Sequence, residues 1–298
     1  MICIILLVLV AVAFFTLIER KVLGYVQLRK GPNKPSIIGL LTPFADAVKL
    51  LTKENNIPIL ASKSIFHGVI FIVILLPLVL WACIPSTAHF LWISVIIILS
   101  IRSLSVYGIL GCGWSRNRKY SFLGAVRSVA QSISYEVTLT TIVIFHIFFI
   151  FYSIQYSIIN VFLIIFIVSV VFVVCILAEA NRRPFDFSEG ERELVSGFNT
   201  EYSSVLFVII FLAEYISILF ISIFCAFISF SNGLISLMLS FVGISFIYIW
   251  ARATLPRFRY DQLIYLSWKT LLPFSLFILA VFFFLFSILW LWKSLTCS

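Results

Sequence analysis

Uninterrupted apolar runs dominate the chain, and about 20 such residues are what an α-helix needs to cross the hydrocarbon core of a bilayer. Eight runs are read: 1–18, 65–84, 89–110, 127–151, 158–178, 204–230, 234–250 and 271–292. They are about twice the length of a barrel strand and do not alternate in polarity, which argues against a transmembrane barrel. The expectation is an all-α polytopic membrane protein of about eight transmembrane helices, with residues 1–298 forming a single membrane domain. Composition agrees: 62% of the residues are apolar and 11% charged, against about 25% charged in soluble domains. So few charges cannot wet the surface of a soluble core this large, which disfavours a soluble enzyme, a nucleic-acid binder and a disordered regulator. The first run lacks a preceding basic region and a small-residue cleavage site, and Glu19-Arg20-Lys21 follows it directly. It reads as a retained span rather than a cleaved leader.

The net charge of +9 suits membrane topology rather than nucleic acid. Loops 19–64, 111–127, 179–203 and 251–270 carry 19 of the 21 Lys and Arg, the exceptions being Arg102 and Lys293. The intervening loops near 85–88, 152–157 and 231–233 carry no charge. With eight spans all four charged loops share one face, expected to be the cytoplasmic or matrix side. Within the first loop, Arg29-Lys30-Gly31-Pro32-Asn33-Lys34 predicts a turn. Residues 43–54 predict a short amphipathic helix with Asp46, Lys49 and Lys53 offset from Phe44, Val48 and Leu51. Such a helix lies in the interface plane or packs under a soluble partner.

Ten of the twelve acids lie on the charged face, and the other two, Glu136 and Glu214, fall inside spans. Glu136 is about nine residues into its run and Glu214 about ten, or roughly 13 and 15 Å at 1.5 Å per residue. A lipid-facing carboxylate at that depth costs several kcal/mol, so each should face a protein interior or a wet cavity. There they serve either a proton path or a structural pairing with Arg127 or a neighbouring Tyr. The segment 179–203 is the densest acidic cluster, with six acids and three Arg. Glu189 and Glu193 share a face and repel if the stretch is helical, and Glu189 is placed to pair with Arg192. Phe185 and Phe187 interleave the acids, which suggests a segment folded back toward the membrane rather than an exposed loop. Arg252, Arg257 and Arg259 form a last basic group suited to a partner carboxylate or a head group. Arg102, within the third run, needs an acidic partner or a wet channel, and the sequence names neither.

The six Cys are scattered with no CxxC pair and the three His are isolated, so metal or iron–sulfur ligation has no local support and the thiols read as buried small hydrophobes. No dinucleotide glycine fingerprint or phosphate loop occurs. The residues by themselves suit a proton-coupled transporter or the membrane part of an energy-converting complex, and a receptor less well.

Five stretches then carry a resemblance: ERKVLGYVQLRKGPNKP at 19–35, PFADAVKLLTKE at 43–54, KYSFLGAVRSVAQSISYEVTL at 119–139, AEANRRPFDFSEGERELVSGFNTEYSS at 178–204 and RATLPRFRYDQLIYLSWKTLLP at 252–273. They resemble the chain 1 family of NADH–ubiquinone oxidoreductase (respiratory complex I), in its mitochondrially encoded form. They cover about a third of the chain, and their order and spacing extend the likeness over its length. The resemblance implies a place in the mitochondrial inner membrane, among phospholipid, at the heel of the membrane arm beneath the peripheral arm. It implies a chamber where ubiquinone, the substrate, arrives from lipid and is reduced. NADH, FMN and iron–sulfur clusters belong to partner subunits, so the chain needs no redox centre of its own. By matching motif, Glu19, Arg20, Asp46, Ala47, Arg182, Arg252 and Arg257 are expected around the quinone chamber. Glu136, Glu179, Glu189, Glu191, Glu193, Glu201 and Glu214 are expected to be the carboxylates that couple quinone reduction to proton translocation. The related membrane subunit of an energy-converting hydrogenase is the alternative within the same ancestry.

The chain departs from that family's pattern at Arg192, where Ser is usual, at Arg183, where a small residue is usual, at Ala180, which replaces a common Thr, and at Arg102. Arg192 sets a positive charge within the acidic cluster and lowers the proton affinity of its neighbours. Labelling of cysteines introduced into segments 19–64 and 179–203 is expected from the same side of the membrane; modification from opposite sides would contradict the topology.

Overall fold

The computed structural model describes residues 2–55, 57–58, 61–84, 91–156, 162–186, 202–230 and 233–296. The helices are α1 (Ile2–Val26), α2 (Thr42–Leu51), α3 (Lys63–Ala82), α4 (Leu91–Trp114), α5 (Lys119–Tyr156), α6 (Phe162–Glu179), α7 (Ser204–Phe230), α8 (Leu234–Thr254), α9 (Tyr260–Tyr265) and α10 (Leu272–Thr296). A π-helical turn, Leu266–Leu271, joins α9 to α10. Among the described residues there is no strand, and seven helices are long and apolar enough to cross a membrane. The expected span at 158–178 falls on α6, which has 18 residues but whose described side chains begin at Phe166, and over Phe166–Glu179 it is a shorter apolar helix that does not reach that length.

Large apolar side chains such as Phe71, Ile96, Leu239 and Phe277 point outward and are exposed, as expected when the surrounding solvent is lipid. The two most enclosed spans are α5 and α7, the helices that carry Glu136 and Glu214. α7 is the hub and touches α1, α2, α3, α5, α6 and α8. Cross-links fix which ends meet. Ser62, before α3, donates its backbone N–H to Ser115 O, after α4, at 3.0 Å. Tyr202, before α7, donates its hydroxyl to Cys112 O at 3.3 Å. Glu19 of α1 pairs with Arg252 of α8, and Asp186, after α6, pairs with Arg257, after α8. The described parts of all four charged connections therefore gather at one end of the bundle.

Several boundaries differ from expectation for one reason: charge ends an apolar run, but it does not end a helix. α1 continues to Val26, eight residues past the expected end of the first span at residue 18. The connection expected at 111–127 shrinks to a turn at 115–118, because α4 runs to Trp114 and α5 starts at Lys119. The connection expected at 251–270 is likewise largely helical through α8 and α9. The short helix after the first span is present as α2, with Pro43 in its first turn and Phe44, Val48 and Leu51 exposed. The turn before it relies on Gly39, at φ +76°, where an added Cβ would lie 2.3 Å from Pro32 O. Cys112, Cys175 and Cys225 are buried as expected, whereas Cys3 is exposed.

Close approach between α3, α4 and α5 rests on glycine, as in other membrane helix pairs that lack a hydrophobic drive to associate. An added Cβ at Gly108 or Gly111 would come within 2.9 or 2.8 Å of Val73 or Val69 Cγ2. At Gly113 it would meet Ala125 Cβ at 2.3 Å and Ser121 O at 2.9 Å, neither of which can swing aside. Gly113→Ala is expected to destabilise the α4–α5 hairpin by about 1–3 kcal/mol through overpacking, seen as a lower thermal midpoint of the assembled protein in mild detergent. An unchanged midpoint would contradict the packing.

Candidate functional site

α6 stops just past Glu179 because Asn181 takes a left-handed conformation, φ 50°, which Asn tolerates better than most residues at a helix end. The chain then turns back on the bundle. Gln131, fully buried on α5, clamps this turn by donating its side-chain amide to Ala178 O at 2.7 Å and Phe185 O at 2.8 Å. Phe185 stacks on Phe258 with ring centroids 5.5 Å apart, and Phe258 N donates to Pro184 O at 3.2 Å. The expected fold-back toward the membrane thus holds as far as Asp186, which is buried.

Behind this turn lies a cavity walled by apolar groups of α3 and α4 and lined by Arg102, Glu136, Glu179, Arg182 and Glu214. Arg102 Nε donates to Glu179 Oε1 at 2.8 Å, and Nη2 of the same guanidinium also meets that oxygen. The side chains are only 10% and 8% exposed, so each charge depends on the other for the solvation it has lost. The partner that the sequence left unnamed for Arg102 is therefore Glu179. Arg182 Nη2 lies 3.7 Å from Glu214 Oε2, with its guanidinium 4.5 Å above the Tyr215 ring. Glu136 faces the same cavity, partly buried. It lies 17 residues past the start of α5 at Lys119 rather than nine into a span, because the helix begins earlier than its apolar run. Arg127, weighed as a partner for Glu136 or Glu214, sits instead 6.0 Å from the Tyr260 ring centroid.

A smaller pocket adjoins, and Arg182 lines both spaces. Here Glu19, buried two turns before the end of α1, pairs with Arg252 and accepts a hydrogen bond from Tyr215 Oη at 2.7 Å. Arg257 Nη2 donates to Asp186 Oδ2 at 3.2 Å. Arg20 Nη1 meets Asp46 Oδ2 of α2 at 2.5 Å. This last pair is about half exposed and stands apart from the cavity, with Ala47 beside it on α2. At the start of α7, Tyr202 stacks on Phe66 and beneath the Arg116 guanidinium, 3.5 Å from its ring centroid. Burial pushes its phenol above the ordinary range, more than Arg116 offsets, so the hydroxyl stays a donor.

Glu136, Glu179, Glu214, Arg182, Glu19 and Arg252 are thus brought into two adjoining spaces. Glu189, Glu191, Glu193, Glu201 and the expected Glu189–Arg192 pair lie outside the described residues. Sequence reasoning missed Gln131 and Tyr215, which hold the site without being charged. The signal for Gln131 was a lone amide within the 119–139 stretch, and for Tyr215 its place beside Glu214.

Ion pairs and carboxylates enclosed in a polytopic bundle define the class: a membrane protein that handles charge inside its transmembrane core. The comparisons narrow it. The NADH dehydrogenase family matches residues 1–283. The chain is 48% identical over 282 residues to a mosquito protein named NADH-ubiquinone oxidoreductase chain 1, from Anopheles quadrimaculatus, covering 90% of this chain and 89% of the relative. Proteins of the same name from Branchiostoma lanceolatum and Paracentrotus lividus are 45% and 41% identical over 280 and 290 residues, each covering 90% of this chain and 89% of the relative. The chain belongs to the NADH dehydrogenase family.

Removing one member of a buried pair strands the other charge. Arg102→Leu is expected to destabilise the protein by about 3–5 kcal/mol, read as loss of assembled complex on native gels and a lower thermal midpoint. The double variant with Glu179→Gln should recover part of that loss; additive effects would deny the pairing.

Proposed function

We propose that the chain is the membrane subunit of NADH–ubiquinone oxidoreductase that forms much of the ubiquinone access and binding chamber and begins the carboxylate path coupling quinone reduction to proton translocation. The observation that carries this reading is the single cavity holding Glu136, Glu179 and Glu214 with Arg102 and Arg182. The shared name of the relatives supplies the reaction. The charged end of the bundle faces the matrix side of the mitochondrial inner membrane, beneath the peripheral subunits that complete the chamber. NADH, FMN and iron–sulfur clusters belong to those partners, which deliver electrons to ubiquinone.

Reducing a quinone to a quinol consumes two protons as it takes two electrons, so the chamber changes charge and proton demand during each turnover. Glu19, Arg20, Asp46, Ala47, Arg182, Arg252 and Arg257 surround that chamber. Arg182 is suited to transmit the change, since it lines the Glu19 pocket and also pairs with Glu214 in the cavity. When a guanidinium shifts away from a carboxylate, that carboxylate binds a proton more readily; when it returns, the proton is released. Glu136, Glu179 and Glu214 exchange protons this way, and Glu189, Glu191, Glu193 and Glu201 connect them to the chamber.

Glu189→Gln and Glu191→Gln, each in the assembled complex, are expected to slow NADH–ubiquinone turnover at least about tenfold while NADH oxidation by an artificial acceptor is kept. Unchanged quinone turnover in both variants would refute the coupling role.

A further inference from the structure

Among the described residues, three carboxylates but only two guanidiniums line the larger cavity. Arg102 meets Glu179 through Nε and Nη2, and both side chains are almost wholly enclosed. Arg182 Nη2 lies 3.7 Å from Glu214 Oε2. Glu136 on α5 makes no hydrogen bond and no ion pair among the described residues, and α3 brings only Val73, Leu76, Pro77 and Leu80 to the cavity. An ionised carboxylate inside a membrane bundle needs an opposite charge or donors to replace the water it has lost. The uncharged polar groups around Glu136 offer the reverse. Ser105, Ser132 and Ser217 each give the hydroxyl hydrogen to a backbone carbonyl of their own helix, at 2.6, 2.9 and 2.7 Å, which leaves their oxygens to accept. Ser132 stands one turn before Glu136 on the same face of α5. Asn181 Oδ1, buried at the cavity wall, has no donor among the described residues. A carboxylate can only accept a hydrogen bond, whereas a carboxylic acid donates one, so this lining suits Glu136 in its protonated form.

We propose that Glu136 is a neutral carboxylic acid in the resting complex, and that Arg102 fixes this choice by holding Glu179 as the ionised partner. With Glu136 protonated, the described lining carries two positive and two negative charges, and each charge has its opposite in the cavity. Arg102 is a positioning residue in this scheme: it acts through Glu179 and decides which carboxyl keeps the proton. The inference deepens the coupling function proposed above and rests on it for the use made of the proton. Glu136 is then the group that already holds a proton when a turnover begins, while Glu179 and Glu214 begin it ionised.

Infrared difference spectra of the intact complex at neutral pH, wild type against Glu136→Gln, test this. The wild type should show the carbonyl stretch of a protonated carboxyl, shifted in deuterium oxide, that the variant lacks. The double variant Arg102→Leu with Glu179→Gln removes one charge of each sign and should keep that band. Thermal midpoints give a second reading. Glu136→Gln exchanges a neutral acid for a neutral amide of the same shape and should leave the midpoint of the assembled complex unchanged, whereas Glu179→Gln strands Arg102 and should lower it. Quinone-linked turnover of Glu136→Gln should fall about tenfold, with NADH oxidation by an artificial acceptor kept. A band that persists in Glu136→Gln overturns the inference, and so does failure of that variant to assemble; neither touches the coupling function. Loss of the band with wild-type quinone turnover upholds the place of the proton and counts against the coupling function instead.

Discussion

An ionised side chain held inside a membrane protein must find an opposite charge or water, and the buried contact between Arg102 and Glu179 is where that constraint bears hardest. Each is almost wholly withdrawn from solvent, and either alone would be untenable at that depth. Their meeting requires the middle of α4 to face the end of α6, which in turn requires α4 and α5 to pack closely enough to bring α6 alongside. Glycines on α4 permit that approach against α3 and α5. Gln131 on α5 then holds the turn after α6, so that Arg182 lies within reach of Glu214. One charge requirement and a few small residues therefore account for the cavity's shape.

The charges in this core are paired at unequal distances. Arg102 grips Glu179 through two of its nitrogens, whereas Arg182 stands 3.7 Å from Glu214 and stacks on Tyr215. The longer pair is the one whose arginine borders both spaces. Tyr215 adds a second tie, since its ring carries Arg182 while its hydroxyl binds Glu19. Glu19 and Glu214 are thereby connected through Tyr215 and Arg182 by direct side-chain contacts.

Legibility in the sequence followed the strength of the physical signal. Apolar runs announced the spans because lipid tolerates little else for about 20 residues. The lopsided distribution of Lys and Arg announced which connections share a face, and Glu136 and Glu214 stood out because acids in such runs are rare. Helix ends were less visible. Residues 119–126 look like a connecting loop by charge yet form the first turns of α5, since backbone hydrogen bonding continues where hydropathy stops. The neutral residues of the site, Gln131 and Tyr215, gave little sign of their positions because an amide or a phenol inside an apolar run is individually unremarkable.

The sequence by itself determined that the chain lives in a membrane as an all-helical bundle, that its charge collects at one end, and which family it resembles. These properties are sums over many residues and survive ignorance of any one contact. Only the tertiary structure decided that Arg102 answers Glu179, Arg182 answers Glu214 and Glu19 answers Arg252 across separations of 77, 32 and 233 residues. Pairing of that kind depends on helix rotation and crossing, which follow from packing among all the spans together and leave no local mark in the order of the amino acids.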